Sequence, residues 1–261
     1  MTDDGPEGGQ DSKEFVNSLA RGLSVLQCFG RDFRRMTLSE VAERTDLNRA
    51  AARRSLLTLA ELGFVASDGK YFELTPRVLT LGFAYLSSLE FWEASRPVLD
   101  AVSRDLEESC SAAVLDGPEI VYVARAAARH RLLSIALTIG TRLPAHATSM
   151  GQVLLAGLEA KALDRYFAGA ELRRFTATTL TTRAEIEARL VEVRAAGHVV
   201  VDQEFEIGLR SIAVPIRQRD GSVTAALNVS THAARCDLGQ MEERFLPRLR
   251  QAAEELSRIL A

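Results

Sequence analysis

Residues 37–65, TLSEVAERTDLNRAAARRSLLTLAELGFV, constrain the fold of this chain more than any other stretch. Thr37 stands three residues before Glu40, the capping-box spacing in which each side chain satisfies an orphan N–H at a helix start. A helix begun there runs to about Arg44. The turn TDLN then offers Asp46 or Asn48 as a second cap, and another helix follows to Leu62. Its buried stripe is Ala52, Leu56, Leu59 and Leu62, at three- and four-residue steps, and Gly63 closes it. Upstream, Leu19, Leu23 and Leu26 recur at helical spacing within residues 15–29. Downstream, FVASDGKYFEL holds two short β-prone runs around Asp68-Gly69, the signal of a hairpin whose type I′ turn needs positive φ at both positions. Helix, helix-turn-helix, hairpin is the order of a winged helix-turn-helix.

Charge gives that order a purpose. The chain as a whole carries a formal net charge of -3, with a pI near 5.9, which argues against binding nucleic acid through broad positive charge. Yet Arg31 to Arg54 holds seven arginines against four acids, a local balance of +3. Arg49 and Arg53 lie four residues apart on one face at the start of the second helix of the pair, the end that enters a major groove in this motif. Arg54 is beside them, and Ala50 leaves room for close approach. An arginine-rich helix taken alone is ordinarily a solvated face. The capped short helix, the turn and the hairpin in the right order instead point to DNA. The residues expected at the interface are Thr37, Asn48, Arg49, Ala50, Arg53, Arg54 and Lys70, the last at the hairpin turn within reach of a phosphate.

In LTPRVLTLGFAYLSSL, Thr75 caps and Pro76 takes the first helical position. Val78, Leu81, Tyr85 and Leu89 make that helix too apolar for a free linker, so it is expected to pack between domains or subunits. From residue 91 onward helical and strand patterns alternate. Strands are expected on either side of Asp116-Gly117-Pro118 and at 132–139, 199–203, 211–217 and 223–230. Helices are expected around Val98 to Leu106 and at 149–157, 163–167, 183–196 and 238–260. The expected fold class is therefore α+β, an antiparallel sheet flanked by helices, organised as a tail (1–14), a winged helix (15–75), a linker helix (76–90) and a C-terminal domain (91–261).

Several function classes recede. No apolar run approaches the roughly 20 residues of a membrane span, and the N-terminus is acidic and glycine-rich rather than a signal peptide, so a cytoplasmic protein is expected. Cys28, Cys110 and Cys236 show no paired spacing and read as buried small hydrophobes. His232 and Cys236 are four apart, with His198 and His130 as distant partners, but no H-E-x-x-H or paired-cysteine motif stands near, so no metal is expected. Ser149 and His146 lack a G-x-S-x-G elbow. Neither catalytic residue nor cofactor is expected.

The segments SLARGLSVLQCF, LTLAELGFV, PAHATSMGQVLLAG, VDQEFEIGLRSIAVPI and AALNVSTHAAR, in that order, resemble the IclR family of bacterial transcription regulators. SLARGLSVLQCF, RAAARRSLLTL and PAHATSMG are most similar to its branch controlling aromatic-acid breakdown through protocatechuate and the β-ketoadipate pathway. The resemblance implies a winged helix-turn-helix joined by a linker helix, which helps to dimerise, to a GAF-like effector-binding domain. It implies as partners double-stranded operator DNA, a second copy or a dimer of dimers, and a small carboxylate effector such as protocatechuate, 4-hydroxybenzoate or a β-ketoadipate-like acid. By motif, the pocket falls on Thr148, Ser149 and Met150, on Asp202 and Ser211, and on Asn228 and Ser230. Arg210 is expected either to meet an effector carboxylate or to pair internally with Glu204 or Glu206, and His146 either to hold its own turn or to touch the ligand. Read from the residues alone, Ser149 to Gly151 would open a helix whose N–H groups suit a carboxylate.

Overall fold

The computed structural model describes residues 14–30, 32–88, 91–128 and 137–259, in two compact units that divide between Tyr85 and Leu86. The first contains α1 (Asn17–Gln27), β1 (Arg35–Thr37), α2 (Leu38–Arg44), α3 (Arg49–Glu61), β2 (Val65–Ser67) and β3 (Tyr71–Leu74). The three strands form a small antiparallel sheet in the order β1-β3-β2. Val25, Met36, Val41, Ala52, Leu56, Leu59, Val65 and Phe72 form the core that helices and sheet share. The capping box is in place: Thr37 N–H donates to Glu40 Oε2 at 2.7 Å, and the Glu40 N–H returns to the Thr37 hydroxyl. Of the two possible caps for α3, Asn48 takes the role, its Oδ1 accepting from Ala51 N–H at 2.9 Å, while Asp46 sits in the turn with φ 52°. The buried stripe stops at Leu59, because Leu62 is the C-cap and stays half exposed.

The hairpin turn lies one residue later than the Asp68-Gly69 reading. Asp68 N–H donates to Tyr71 O at 3.3 Å, so the two central residues are Gly69 and Lys70, with positive φ at Gly69 alone (96°), the glycine-first pattern of a type II′ turn. Asp68 is instead the residue before the turn, its Oδ1 accepting from the N–H groups of Lys70 (3.0 Å) and Tyr71 (2.8 Å). Beyond it Thr75 caps a short 3-10 turn (Pro76–Val78) that leads into α4 (Leu79–Ser88), within which the two units divide. Leu81 and Tyr85 are half exposed in the single chain, and Leu89 lies outside the described residues.

The second unit contains α5 (Phe91–Leu106), β4 (Ser109–Asp116), β5 (Glu119–Ala126), β6 (Arg142–Pro144), α6 (Ser149–Ala156), α7 (Ala160–Gly169), α8 (Arg183–Ala196), β7 (Val199–Asp202), β8 (Leu209–Arg217), β9 (Val223–His232), a one-turn α9 (Leu238–Gln240) and α10 (Leu246–Ile259). All strand pairings are antiparallel, in the order β6-β5-β4-β9-β8-β7. One face of the sheet packs on α5 and α10 through Ile212, Leu227 and Val229 against Leu99, Val102, Leu249 and Leu256. The other packs on α6, α7 and α8 through Ala113, Tyr122, Val201, Ala213 and Ala226 against Met150, Leu154, Leu163, Ile186 and Leu190. This is the expected α+β architecture. One detail differs and one lies largely outside the described residues. Of the strand expected at 132–139, residues 132–136 are outside the described residues and 137–139 lead into a turn; among the described residues the strand that pairs with β5 at the edge is β6. The expected helix 238–260 is interrupted by a π-helical stretch, Met241–Phe245.

Candidate functional site

Two surfaces carry chemistry. At the start of α3 the cap Asn48 and Arg49, Ala50, Arg53 and Arg54 are turned to solvent, whereas Ala51, Ala52, Leu56 and Leu59 are buried. At 100° per residue, Arg49 and Arg53 fall 40° apart with Arg54 on the same open side. Two other arginines of this unit are already engaged: Arg35 pairs with Asp68, and the Arg44 guanidinium lies over the Phe33 ring at 3.5 Å. Among the ion pairs of the described residues none involves Arg49, Arg53 or Arg54, so their charge is available to an outside anion. Lys70 is exposed at the hairpin tip. Thr37 and Asn48 have their oxygens committed to capping the starts of α2 and α3. Leu57, which the sequence reading passed over, is 46% exposed between these arginines.

The second surface is a small cavity between the start of α6 and the sheet. It is lined by Tyr122, Leu143, Ala147, Thr148, Ser149, Met150, Val201, Phe205, Leu209, Ser211, Asn228 and Ser230. Its volume of about 20 Å³ holds little more than one water-sized body. A ring-sized ligand therefore enters only if side chains such as Phe205, Leu209 or Met150 shift. Thr148 caps α6, its hydroxyl accepting from Gly151 N–H at 3.2 Å, so the N–H groups of Ser149 and Met150 are the first donors without a partner in the helix. Gly151 is required here: a Cβ on it would fall 2.1 Å from the Ala145 carbonyl oxygen, so only glycine lets the preceding turn lie against α6. Ser211 Oγ donates to Ser149 Oγ at 2.9 Å and ties the start of α6 to β8.

Strand pairing brings several of these residues into rows. Ser111 of β4 stands opposite Asn228 of β9, and Ser230 of β9 stands between Ser109 of β4 and Ser211 of β8. Asn228 is buried, its Nδ2 donating to Ser230 Oγ at 3.1 Å, while its Oδ1 is buried with no hydrogen-bond partner. Arg125 of β5 joins the same row, opposite Ser111. Its Nη1 donates to Ser111 Oγ at 3.1 Å and its Nη2 to Ser109 Oγ at 3.3 Å. Sequence reasoning missed Arg125, Ser109 and Ser111. The serines left a signal, polar residues at period-two positions in the otherwise apolar SCSAAV. Arg125 left none, because a bulge sets Ala112 opposite Ala124 but Ala113 opposite Tyr122. The extra residue, Val123, resets the alternation so that Tyr122 and Arg125 share a face that a regular strand would deny to one of them.

Asp202 and Arg210 are placed elsewhere. They are cross-strand partners, as are Val201 and Ser211 beside them, and alternation sends the two pairs to opposite faces. Val201 and Ser211 line the cavity, whereas Arg210 Nε donates to Asp202 Oδ1 at 2.9 Å and its Nη1 reaches the Ala233 and Cys236 carbonyls. Arg210 is thus in an internal ion pair, and its carboxylate is Asp202, not Glu204. Glu204 is held by Arg189 (3.0 Å) and by Gln152 Nε2 (2.8 Å), which also donates to the His146 carbonyl. Burial pushes the Glu204 carboxyl up from its ordinary range, with Arg189 opposing. This cluster fixes the residue next to Phe205. His146 is buried outside the cavity lining, its Nε2 on the Arg173 carbonyl at 3.0 Å, and burial holds its pKa below the usual histidine value.

Known proteins match this chain along nearly its whole length. The family model for the IclR helix-turn-helix domain matches residues 18–69, and that for the bacterial transcriptional regulator IclR C-terminal domain matches residues 83–258. The Pca regulon regulatory protein of Pseudomonas putida is 47% identical over 243 residues, covering 93% of this chain and 84% of its own. The p-hydroxybenzoate hydroxylase transcriptional activator of Acinetobacter baylyi is 36% identical over 95% of this chain and 93% of its own. Among solved structures, an IclR homolog complexed with 4-hydroxybenzoate from Microbacterium hydrocarbonoxydans superposes with a TM-score of 0.81 at 26% identity, covering 94% of this chain and 99% of that one. The chain belongs to the IclR family of transcriptional regulators. Among the described residues no helix is long and apolar enough to cross a membrane.

Proposed function

We propose that this IclR-family regulator controls genes of aromatic-acid catabolism, answering a small carboxylate of the protocatechuate, 4-hydroxybenzoate or β-ketoadipate kind, and that it is not an enzyme. The observation that carries the reading is the small cavity at the α6 N-terminus, where helix donors, buried serines and the Asn228 amide meet an apolar lining. That mixture of apolar wall and few directed polar groups is what holds a small metabolite. The relatives named for the Pca regulon and for p-hydroxybenzoate hydroxylase support the pathway, and the neighbour complexed with 4-hydroxybenzoate supports the ligand class. The effector site is Thr148, Ser149, Met150, Ser211, Asn228 and Ser230.

Arg49, Ala50, Arg53 and Arg54 enter the major groove, Thr37 and Asn48 hold the helix starts, and Lys70 meets a flanking phosphate. Two heads are needed for a partly palindromic operator, with half-sites about 34 Å apart or a multiple of it. Leu19 and Leu23 of α1 and Leu81 and Phe83 of α4 are exposed apolar residues of the same unit, a surface suited to a second copy. Effector and operator communicate by linkage: the ligand changes DNA affinity only to the extent that it binds the free and DNA-bound conformations unequally.

The test is a calorimetric titration of the full chain with protocatechuate, 4-hydroxybenzoate and β-ketoadipate, followed by operator binding with and without each hit. The expected result is one saturable site per subunit and a five- to 150-fold change in operator affinity, corresponding to about 1–3 kcal/mol of coupling. Absence of binding by all three compounds sinks the aromatic-acid reading.

A further inference from the structure

Among the described residues, Arg125 is a charged side chain on the cavity face of the sheet with no carboxylate beside it. Its hydrogen bonds go to two neutral hydroxyls, and burial pushes its pKa down with only Tyr122 and Cys110 opposing and no carboxylate acting on it. Half-buried charges are ordinarily paired, because neutral acceptors return only part of the hydration they lose. The ion pairs of Arg189, Arg210 and Arg248 in the same unit follow that rule. Arg125 departs from it at the end of a row that runs through Ser111 to Asn228. There a second buried group lacks a partner: Asn228 Oδ1 accepts nothing. The start of α6 stands beyond it, over β8, where Ser211 meets Ser149.

These features differ in what they require. A guanidinium requires an anion. An amide oxygen requires a donor, which a carboxylate lacks and a hydroxyl supplies, while the hydroxyl oxygen still accepts from the N–H groups of Ser149 or Met150. The Arg125 guanidinium lies over β4, two strands from β8, a separation of about 10 Å at the usual strand spacing. One benzene ring with polar groups at opposite ends bridges such a gap.

Resting on the reading of this cavity as the effector site, we propose that Arg125 anchors the effector's carboxylate and Asn228 accepts from its hydroxyl. The ligand class is then a hydroxy-substituted aromatic monocarboxylate rather than a dicarboxylate or an unsubstituted benzoate. The carboxylate sits at the β5 end of the row, away from the α6 N-terminus that the sequence alone favoured.

The experiment is calorimetry of the full chain, wild type and Arg125→Gln, with 4-hydroxybenzoate, benzoate, phenol and adipate, the weak ligands being measured by competition. Wild type should prefer 4-hydroxybenzoate to each of the other three. Arg125→Gln should weaken 4-hydroxybenzoate by about 10- to 100-fold, the loss of a charge-assisted contact, and weaken phenol far less, since phenol has no carboxylate to lose. Arg125→Lys, which keeps the charge should the glutamine variant fail to fold, should recover part of the affinity. Asn228→Ala should erase the preference for 4-hydroxybenzoate over benzoate. Wild-type affinity for 4-hydroxybenzoate in both Arg125 variants overturns the anchor while leaving the proposed function intact, and a wild-type preference for adipate overturns the ligand class. Absence of binding by all four compounds overturns this assignment, whereas the proposed function falls only if protocatechuate and β-ketoadipate also fail to bind.

Discussion

The two units of this chain handle polar groups in opposite ways. The winged helix keeps its arginines on the surface, where Arg49, Arg53 and Arg54 surround small or exposed residues over a core of Val25, Met36, Leu56 and Phe72. The C-terminal unit takes polar groups inside: Ser109, Ser111, Ser149, Gln152, Glu204, Ser211 and Asn228 are all buried. A surface cation holds its charge cheaply in water and meets a phosphate with little reorganisation. A buried hydroxyl or amide has to be partnered or aimed at a ligand. The first arrangement serves a long, regular polyanion approached from outside. The second serves a small molecule that must be enclosed before it is read.

The largest effect is expected where one buried polar group is removed. Glu204→Ala takes the buried carboxylate from Arg189 and Gln152 Nε2, leaving Arg189 only Gln152 Oε1 and the exposed Glu192, and breaking such a pair costs about 3 kcal/mol. Arg35→Ala, which removes the exposed pair with Asp68 in the head, should cost under about 1 kcal/mol. Urea unfolding gives both values, and hydrogen exchange should place the Glu204→Ala loss in peptides from α6 and residues 203–209, with α3 unaffected. Equal costs for the two substitutions would erase the contrast between the units.

A smaller effect tests the surface side. Arg49→Ala should weaken operator binding by about 1–3 kcal/mol if it reads a base edge, and should relax sequence preference at that position. If it meets a phosphate instead, affinity falls uniformly across sequences and the salt dependence drops by about one ion. Unchanged affinity in fluorescence anisotropy removes Arg49 from the interface.

How much of this was legible in the sequence follows the same division. The head is written locally: caps three residues from their partners, an apolar stripe at helical steps, glycine where φ is positive. The errors there were single-residue shifts, at Leu62 and at the Asp68 turn, and the unforeseen strand β1, which is defined by its pairing with the distant β3. In the C-terminal unit the helices were equally local. What failed was knowledge of which strand face is which. Asp202 and Arg210 were grouped with Ser211 by motif, although period two sends neighbours apart, and Arg125 was hidden by a bulge that exists only in the pairing of β4 with β5. Local spacing can report a cap. It cannot report a register fixed by a partner strand.

The smallest expected effect concerns pH, and its sign separates two buried groups joined through one glutamine. Gln152 Nε2 donates to both the His146 carbonyl and Glu204. Burial lowers the His146 pKa from the ordinary 6.5, with the Arg173 carbonyl opposing. The unfolded chain therefore binds that proton more readily, and stability rises with pH below about 6.5 and is lost on acidification through the same window. Glu204 is shifted the other way, from an ordinary 4.5 upward by burial, so the folded state binds its proton more readily and stability falls as pH rises through that shift. In the wild type the two slopes oppose each other. His146→Gln removes one of them, so the stability difference between wild type and variant should grow with pH below about 6.5 and level off above it, measured by urea unfolding from pH 5 to 8. A difference independent of pH would mean that His146 keeps its ordinary titration despite its burial, and the contrast between the two units would then rest on hydrogen bonds alone.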